Sequence, residues 1–389
     1  MNFSKLTDSL TSNIFVQLEE KKQAFLATGK EPINLSVGTP DFSPDRHVME
    51  ALCTAAKDPE NYKYSLMDMP ILQETVISWY ARRFGVSLDR DQLTSVAGSQ
   101  EGIAHIAFPI CNPGDCVLVP DPGYPIFSFG PLLAGAKLCT YPVVAQNNYL
   151  IDFDKIDPSV AHAAKIIIVS YPSNPVCAIA DFSFYERLVA FAKKYDIIVI
   201  HDNAYGELIM DGAPGISFLS VPGAMDVGIE FNSLSKSYNL TGGRISFALG
   251  NKAILSRYKA VRSQIDYGMF LPLQYAAIAA LNGPQDILER NRAGYRARRD
   301  ALCGGLRSIG WQVDNSPATM FCWAPLPKGY QNSFAFVSEM IEKTGVICVP
   351  GSSFGPGGEG YVRFALTQPP EQIASAIERI ASSDILSRS

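Results

Sequence analysis

Residues 165–202, KIIIVSYPSNPVCAIADFSFYERLVAFAKKYDIIVIHD, carry the pattern that decides the predicted fold. Residues 165–170 and 197–201 are almost continuously apolar, as strands are when both of their faces are covered. Residues 184–195 between them repeat apolar side chains at helical spacing. A strand–helix–strand unit of this kind favours a mainly parallel α/β sheet, and a further apolar run at residues 116–120 extends it.

The bulk composition is that of a cored globular protein. The 389 residues are enough for two domains, and 47% of them are hydrophobic against 18% charged. The net charge of −5 and the lack of a basic block argue against nucleic acid or an anionic membrane as a partner. The start of the chain has no apolar signal core, and the eight cysteines contain no C-x-x-C pair. We therefore expect a reduced, cytoplasmic protein without a metal site or a membrane span.

Other segments predict further helices and strands. Residues 93–96 have the composition of a strand, and the loop after them leads into an apolar helix near Ser99. The remaining expected elements are a helix over residues 11–30, a short strand over 32–38, helices over about 252–266 and 285–310, and a hairpin-like region over 311–325.

Polar residues follow the predicted strands directly. Asn174 lies just beyond the strand at residues 165–170, and Asp202 and Tyr205 follow the strand at residues 197–201. In open α/β sheets, ligands bind outside the carboxyl ends of the strands. These side chains are therefore expected to share one crevice.

A lysine and a carboxylate in this crevice predict one particular cofactor. Lys236 lies in EFNSLSKSYN, residues 230–239, and Arg244 follows eight positions later. An amine of lowered basicity can condense with an aldehyde and then carry protons, and a buried carboxylate such as Asp202 can keep a pyridine nitrogen protonated. These are the groups that pyridoxal 5'-phosphate requires, so we expect Lys236, Asp202 and Tyr205 to be catalytic.

The remaining cofactor contacts are assigned by residue type. The ring hydroxyl needs donors, a ring face needs a flat partner, and the phosphate needs backbone N–H groups, hydroxyls and a cation. Each candidate also has an ordinary structural alternative, such as a turn asparagine, a core tyrosine, a capping serine or a surface arginine. The expected contacts are Asn174 and Tyr205 for the hydroxyl, Tyr124 for stacking, and Gly98, Ser99, Gln100, Ser233, Ser235 and Arg244 for the phosphate.

Arg363 is the candidate for substrate binding. It lies in GYVRF, residues 360–364, which predicts a strand and an inward-facing arginine. A buried guanidinium without an anion would be costly, so a ligand carboxylate is the expected partner. An amino-acid substrate would supply that carboxylate.

At this point the motifs resemble those of a known family. The chain resembles the class I/II aminotransferases of fold-type I, and among them the branch that holds LL-diaminopimelate aminotransferases and related aspartate and alanine transaminases. The resemblance covers nearly the whole chain. Its motifs are INLSVGTPDF at residues 33–42, YSL at 64–66, GSQEG at 98–102, SKSYN at 235–239 and PGSSFG at 350–355.

The resemblance implies a fold and an assembly. It implies an α/β protein with a large, mainly parallel seven-stranded domain, residues 46–284, and a small α/β domain formed by residues 1–45 and 285–389. It implies that Gly38 lies close to the substrate carboxylate beside Asn174 and Arg363. It also implies a homodimer with composite sites, in which Tyr64 of one subunit reaches the phosphate held by the other.

The resemblance implies transamination between an L-amino acid and a 2-oxo acid, through a Lys236 aldimine, a quinonoid and pyridoxamine phosphate. The chain departs from the pattern at Gln100, where relatives have lysine, and at Val176, Cys177 and Gly243. These departures leave an alternative open, a pyridoxal-phosphate-dependent oxidase, deaminase or lyase that acts on a neutral or cationic amino acid. A regulatory protein on the same fold is disfavoured by the intact Lys236. The identity of the amino acid and of the oxo acid stays open.

Overall fold

The computed structural model describes residues 4, 6, 13–212 and 214–387. Twelve strands run through this part of the chain. They are β1 (Ile33–Asn34), β2 (Leu93–Val96), β3 (Cys116–Asp121), β4 (Lys137–Pro142), β5 (Ala164–Ser170), β6 (Ile198–Asn203), β7 (Gly228–Ser233), β8 (Ser246–Gly250), β9 (Phe321–Pro325), β10 (Val346–Ile347), β11 (Val349–Pro350) and β12 (Tyr361–Ala365).

Seven of these strands form one large sheet in the order β2-β8-β7-β6-β5-β3-β4. Strand β8 runs antiparallel to both of its neighbours, and the other pairs in the sheet are parallel. The predicted mainly parallel seven-stranded sheet is therefore confirmed. The carboxyl ends of β2, β3, β5, β6 and β7 meet at one edge, and β8 begins at that same edge because its direction is reversed.

Helices connect the strands and cover the sheet, as the strand–helix–strand pattern predicted. Asp181 begins the helix between β5 and β6, because its carboxylate accepts the N–H of Phe184 at 2.8 Å. The helices are α1 (Asn13–Leu26), α2 (Arg46–Ala55), α3 (Pro70–Phe84), α4 (Ser99–His105), α5 (Ile126–Leu133), α6 (Pro158–Ala163), α7 (Phe182–Tyr195), α8 (Ala224–Val227), α9 (Leu234–Ser237), α10 (Lys252–Arg262), α11 (Leu271–Asn282), α12 (Asp286–Ser308), α13 (Ser333–Thr344) and α14 (Pro370–Ala381). None of the helices in the described ranges combines the length and hydropathy needed to cross a bilayer.

Two small sheets join the beginning of the chain to its end. Strand β1 pairs in parallel with β10, so residues 33–34 lie beside residues 346–347. Strands β11 and β9 flank β12 in an antiparallel sheet. This arrangement is what a small domain built from both chain ends requires, while the boundaries at residues 45/46 and 284/285 stay predictions.

Several expected elements differ from the observed ones. The expected strand over residues 32–38 has only two ladder residues, because the Asn34 side-chain oxygen accepts the N–H of Ser36 at 2.9 Å and takes that donor out of the ladder. The expected hairpin over residues 311–325 is wrong, since its only strand is β9, which pairs with β12. The apolar side chain of Trp311 instead packs on Phe336 and Phe364. Helix α1 occupies residues 13–26 of the expected 11–30, and residues 11 and 12 lie outside the described part of the chain.

One cysteine pair also departs from expectation. Cys116 of β3 and Cys139 of β4 are joined by a disulfide with Cα atoms 6.2 Å apart. The expectation that all eight cysteines are reduced fails at this pair, because pairing of the two neighbouring strands brings the sulfurs together. The position of the partner strand could not be read from the spacing of the cysteines.

A buried polar cluster lies beneath the centre of the large sheet. His201 of β6 pairs across the ladder with Glu230 of β7, and its Nδ1 lies 2.9 Å from the Glu230 carboxylate. The other carboxylate oxygen accepts the hydroxyls of Tyr80 and Ser217, each at 2.9 Å. Side chains alternate between the two faces of a strand, so His201 and Asp202 lie on opposite faces of β6. The cluster packs against the face that carries His201. It therefore supports the strand that presents Asp202.

We predict that Tyr80→Phe lowers the free energy of unfolding by about 1–3 kcal/mol, because buried Glu230 loses a donor. Ser308→Ala is the control, since its hydroxyl donates to the Gly305 carbonyl in an exposed position. The control is expected to change stability by less than about 0.5 kcal/mol. Urea denaturation followed by tryptophan fluorescence measures both. Equal destabilisation by the two variants would contradict the assigned importance of the buried cluster.

Candidate active site

One cavity of about 410 Å³ opens at the carboxyl edge of the large sheet. Most of the residues singled out by sequence line it, although they are spread along the chain from residue 38 to residue 363. The predicted residues in its wall are Gly38, Ser99, Gln100, Tyr124, Asn174, Asp202, Tyr205, Ser233, Ser235, Lys236, Arg244 and Arg363. The shared crevice expected from the strand ends is therefore present.

Lys236 enters this cavity from a single helical turn after β7. The Ser233 hydroxyl oxygen accepts the N–H of Ser235 at 3.2 Å, which caps the turn α9 and fixes its start. The Lys236 Nζ donates to the Gly38 carbonyl at 2.7 Å. Burial, together with the smaller effects of the positive charges of Arg244 and Arg363, lowers the pKa of Lys236 to about 8. Near neutral pH, part of this amine is therefore unprotonated and nucleophilic.

Asp202 faces the cavity from the centre of the sheet. On β6 it lies between Ser170 of β5 and Phe231 of β7. Burial raises the pKa of Asp202 to about 6, against the opposing effects of His201 and of a hydrogen bond from Ser99. Its buried Oδ1 has no hydrogen-bond partner among the described residues. A buried carboxylate oxygen in this state needs a donor, and a protonated ring nitrogen in the cavity would supply one.

Arg363 is a buried cation at the same cavity. Its Nη1 donates to the Asn174 side-chain oxygen at 2.7 Å and its Nη2 to the Ser36 carbonyl at 3.1 Å. The guanidinium lies 4.0 Å from the ring centroid of Phe321 and 4.7 Å from that of Phe354. Its Nε is buried without a hydrogen-bond partner among the described residues, and burial lowers the pKa of Arg363 to about 10. A preorganised cation of this kind is suited to bind a ligand carboxylate.

Arg244 lies beside the start of helix α4. Its Nη1 donates to the Thr241 carbonyl at 3.0 Å. Gly98 precedes the helix with a φ of +89°, and a Cβ at this position would lie 2.1 Å from the Arg244 Nη2. A glycine is therefore required for the guanidinium to approach the helix start. The N–H groups of that start and the arginine together favour an anion with several oxygens.

The sequence left open that Ser99 caps helix α4. In the structure it does not occupy the cap position. Gly98 occupies the cap position of α4, and Ser99 is the first helical residue. The Ser99 hydroxyl is instead close enough to Asp202 to lower the pKa of that carboxyl. Ser99 therefore links the anion-binding helix start to the buried carboxylate.

The aromatic candidates lie on the cavity wall. The Tyr124 hydroxyl donates to the Gln100 side-chain oxygen at 3.1 Å. Tyr205 is buried beside Phe321, with ring centroids 5.9 Å apart, and burial raises the pKa of Tyr205 well above its ordinary value. Both hydroxyls are therefore donors at neutral pH. Phe321 itself was not anticipated, because its place between Gly38 and Arg363 follows only from the pairing of β9 with β12.

Tyr64 is not in this cavity within one chain. Its side chain is 81% exposed and packs against Tyr267 at a centroid distance of 5.1 Å. This exposed position is consistent with the expectation that Tyr64 acts on another subunit. A single chain does not test that expectation. Thr241 and Ser170 line the cavity and were also missed, although Thr241 stands three residues before the predicted Arg244.

The departures from the family pattern fall in different places. Val176 and Cys177 are buried and do not line the cavity, and the Cys177 Sγ accepts the Thr319 hydroxyl at 3.3 Å. At Gly243 a Cβ would have its nearest neighbours at 3.4 Å, so a methyl group would fit there. Only Gln100 of these departures reaches the cavity wall. The changes at residues 176 and 177 therefore alter packing behind the site.

Comparison with known proteins identifies the family. The family model for aminotransferase class I and II matches residues 30–380. The LL-diaminopimelate aminotransferase of Dehalococcoides mccartyi strain 195 is 42% identical over 384 residues, which is 98% of this chain and 99% of that protein. The LL-diaminopimelate aminotransferase of Moorella thermoacetica is 43% identical over 369 residues, 94% of each chain. The substrate-bound structure of BacF from Bacillus subtilis has a TM-score of 0.92 at 34% identity and covers 98% of each chain.

The residues of the cavity fit pyridoxal phosphate. The Asp202 oxygen that has no partner among the described residues, the Lys236 amine of lowered pKa and the Gly98–Arg244 cradle match the ring nitrogen, the aldehyde and the phosphate of that cofactor. Both curated relatives are aminotransferases by name, which favours transamination over the oxidase, deaminase or lyase alternative. The chain therefore belongs to the class I and II aminotransferases and is a pyridoxal-phosphate-dependent enzyme that moves an amino group between an L-amino acid and a 2-oxo acid.

Proposed function

We propose that this aminotransferase uses LL-diaminopimelate as one of its substrates and works as a cytoplasmic homodimer. The substrate is taken from the name carried by the two relatives of 42% and 43% identity, which this chain matches over 94% or more of its length. The observation that carries the catalytic part of the proposal is that Lys236, Asp202 and Arg363 line one cavity.

We assign the cofactor contacts from the residues of the wall. When bound, pyridoxal phosphate supplies an aldehyde carbon for the amino group and a ring that withdraws electrons from the substrate Cα. Asp202 holds the proton of the ring nitrogen, and Tyr124 packs on the ring. Asn174 and Tyr205 bind the ring oxygen. The phosphate contacts are Gly98, Ser99, Gln100, Ser233, Ser235 and Arg244.

Lys236 is the proton carrier in this assignment. Its lowered pKa of about 8 lets the Nζ accept a proton from the substrate Cα and return one at the neighbouring carbon near neutral pH. The Gly38 carbonyl, 2.7 Å away, orients the amine within the cavity. A fully exposed lysine would stay protonated and would need to shed its proton before each turnover.

Arg363 binds the substrate α-carboxylate, with Asn174 and Gly38 beside it. Asn174 orients the guanidinium through its side-chain oxygen, and the two flanking phenylalanine rings keep water away from the cation. The carboxylate is thereby held in a dry site where its charge interaction is strong. This fixes the position of the substrate Cα relative to Lys236.

The homodimer is supported by an exposed apolar surface around Tyr64. Met67 is 82% exposed and Leu66 is 72% exposed, and Tyr267 and Phe270 belong to the same surface through their contacts with Tyr64 and Tyr62. Contiguous exposed apolar side chains of this size mark protein contacts. In the dimer, Tyr64 of each subunit contacts the phosphate bound by its partner.

The sheets support a division into two domains. We propose that residues 46–284, which contain the seven-stranded sheet, form the large domain, and that residues 1–45 and 285–389 form the small one. Arg363 then belongs to the small domain and Lys236 to the large one. Substrate binding would involve both domains, so the distance between them would govern turnover.

We predict that Lys236→Ala lowers turnover of LL-diaminopimelate and 2-oxoglutarate by about 10²- to 10⁴-fold, because the proton carrier is lost. Borohydride treatment of the holoenzyme followed by peptide mapping is expected to leave the cofactor on the Lys236 peptide only in the wild type. Lys57→Ala, which removes an exposed lysine, is the control and keeps both properties. Turnover at the wild-type rate in Lys236→Ala would refute the assigned role.

The pKa of Lys236 is testable in the cofactor-free protein. An acylating reagent that reacts only with unprotonated amines is expected to label Lys236 half-maximally at about pH 8, against 10.5 for an ordinary lysine. Below that pH the amine is protonated and protected, and above it the amine reacts. Arg244→Gln removes a positive charge and should move the midpoint upward. A midpoint at the ordinary lysine value would contradict the effect of burial.

The composite site predicts complementation between inactive subunits. Lys236→Ala and Tyr64→Ala chains, each of low activity alone, are refolded together in equal amounts. Hybrid dimers then contain one site with both substitutions and one site with neither, so about a quarter of wild-type activity should return. A mixture that stays inactive, with hybrid dimers verified by mass spectrometry, would argue that Tyr64 acts within its own subunit or not at all.

A further inference from the structure

A buried charged pair lies on the far side of the strand that presents Asp202. His201 precedes Asp202 on β6, so its side chain is on the opposite face of the sheet and does not line the cavity. Its partner Glu230 is on β7, directly across the ladder. Both side chains are fully buried. Two ionisable groups are therefore held out of water next to the carboxylate that faces the cavity, and their neighbours indicate their protonation states.

The hydrogen bonds of Glu230 indicate an ionised carboxylate. Its Oε1 accepts the hydroxyls of Tyr80 and Ser217, and its Oε2 accepts the N–H of Phe218 at 2.8 Å. The Nδ1 of His201 approaches the same Oε2 at 2.9 Å. Only an ionised carboxylate accepts at all four positions, since a protonated one would have to donate one of these bonds. The Nδ1 of His201 then carries a proton.

The second ring nitrogen of His201 also faces an acceptor. Its Nε2 lies 3.2 Å from the Tyr171 carbonyl oxygen and 3.1 Å from the Tyr185 hydroxyl. A carbonyl oxygen cannot donate, so this contact requires a proton on Nε2. The Tyr185 hydroxyl can donate its own hydrogen bond to the same carbonyl, at 3.3 Å. An imidazole that is protonated at both nitrogens is a cation, so the geometry describes a buried imidazolium–carboxylate pair.

Other ionisable side chains surround the pair and Asp202. On the face of His201 they are three tyrosines, and burial raises the pKa of each of them, so they are neutral near pH 7. These tyrosines are Tyr80, Tyr171 and Tyr185. On the face of Asp202 the ionisable residues of the cavity wall are Tyr124, Tyr205, Lys236, Arg244 and Arg363. His201 is therefore the cation on its own side of the sheet within this group.

The cation of the pair acts on Asp202 more strongly than the anion does. Burial raises the pKa of Asp202 to about 6, and the charge of His201 is the largest of the effects that oppose this rise. The charge of Glu230 acts in the opposite direction and has a smaller effect. The pair is neutral as a whole, which reduces the cost of burying it, and it acts on Asp202 through its positive end.

We propose that His201 is a positioning residue for transamination, whose imidazolium keeps Asp202 ionised so that this carboxylate can hold the proton of the cofactor's ring nitrogen. This rests on the proposed contact between Asp202 and that nitrogen. A cation on the cavity face would bind Asp202 itself and occupy Oδ1, the oxygen that has no partner among the described residues. From the opposite face, His201 stabilises the charge of Asp202 and leaves this oxygen open to a ligand.

The wild-type protein tests the assigned cation directly. His201 is the buried one of the four histidines, so its ring protons are expected to exchange slowly with water. In holoenzyme that is isotope-labelled at the histidine nitrogens, the nuclear magnetic resonance spectrum at neutral pH should show one ring with slowly exchanging protons on both nitrogens. A single protonated nitrogen on that ring would overturn the proposal, and this result requires no substitution.

His201→Gln tests the effect on Asp202, since glutamine keeps a donor for Glu230 and carries no charge. In cofactor-free protein, the infrared band of the protonated Asp202 carboxyl, assigned with Asp202→Asn, is expected to have its midpoint near pH 6 in the wild type. Loss of the cation should move this midpoint upward by about 1 pH unit, because the charged form loses a favourable neighbour. In the holoenzyme, the chemical shift of the cofactor's ring nitrogen should move toward that of an unprotonated pyridine at the same pH.

Tyr80→Phe is the matched control, because it removes a hydroxyl donor from Glu230 and leaves both charges of the pair in place. It should keep the wild-type midpoint and ring-nitrogen shift, although it lowers stability. Equal shifts in Tyr80→Phe and His201→Gln, or an unmoved midpoint in folded His201→Gln, would overturn the proposal. If His201→Gln does not fold, the wild-type histidine spectrum decides. A ring-nitrogen shift that Asp202→Asn leaves unchanged would refute the proposed cofactor contact of Asp202 itself.

Discussion

The structure depends on the burial of three charged side chains at one edge of the large sheet. Removing a charge from water disfavours the charged form, so burial lowers the pKa of Lys236 to about 8 and raises that of Asp202 to about 6. The two values move toward each other from opposite sides of neutrality. The same burial that is costly for folding therefore produces an amine that can exchange protons and a carboxylate that requires a donor. Burial of Arg363 carries the corresponding cost, and its Nε has no hydrogen-bond partner among the described residues, so the face that it presents to the cavity is suited to a carboxylate.

Sheet topology explains why these charges can be collected in one place. Parallel strands deliver Asn174, Asp202 and Lys236 from their carboxyl ends, and the reversed strand β8 begins at the same edge, just after Arg244. An all-parallel sheet would carry the residue before β8 to the opposite edge. The one antiparallel strand thus contributes directly to the anion cradle at Gly98. Beneath it, the His201–Glu230 pair ties β6 to β7 and limits movement of Asp202 relative to Lys236.

Much of this arrangement was predictable from sequence, and the limits have physical causes. Local signals sufficed for the strands at 93–96 and 116–121, for helix α7 and for the residues that follow strand ends, because covered strands and amphipathic helices leave a periodic pattern. Features that depend on distant pairing were missed or wrong. The hairpin over 311–325 failed because β9 pairs with a strand some forty residues later, and Phe321 was overlooked as a wall of the site for the same reason. The Cys116–Cys139 pair likewise required knowledge of which strands are neighbours.

The division of labour within the molecule follows from rigidity. Proton transfer requires fixed geometry, and the residues assigned to it are on strand ends and on a capped helical turn of the large sheet. Binding of the substrate carboxylate is assigned to Arg363 on β12, which belongs to a separate three-stranded sheet. The sheet that holds the carboxylate is therefore not the sheet that positions Lys236 and Asp202.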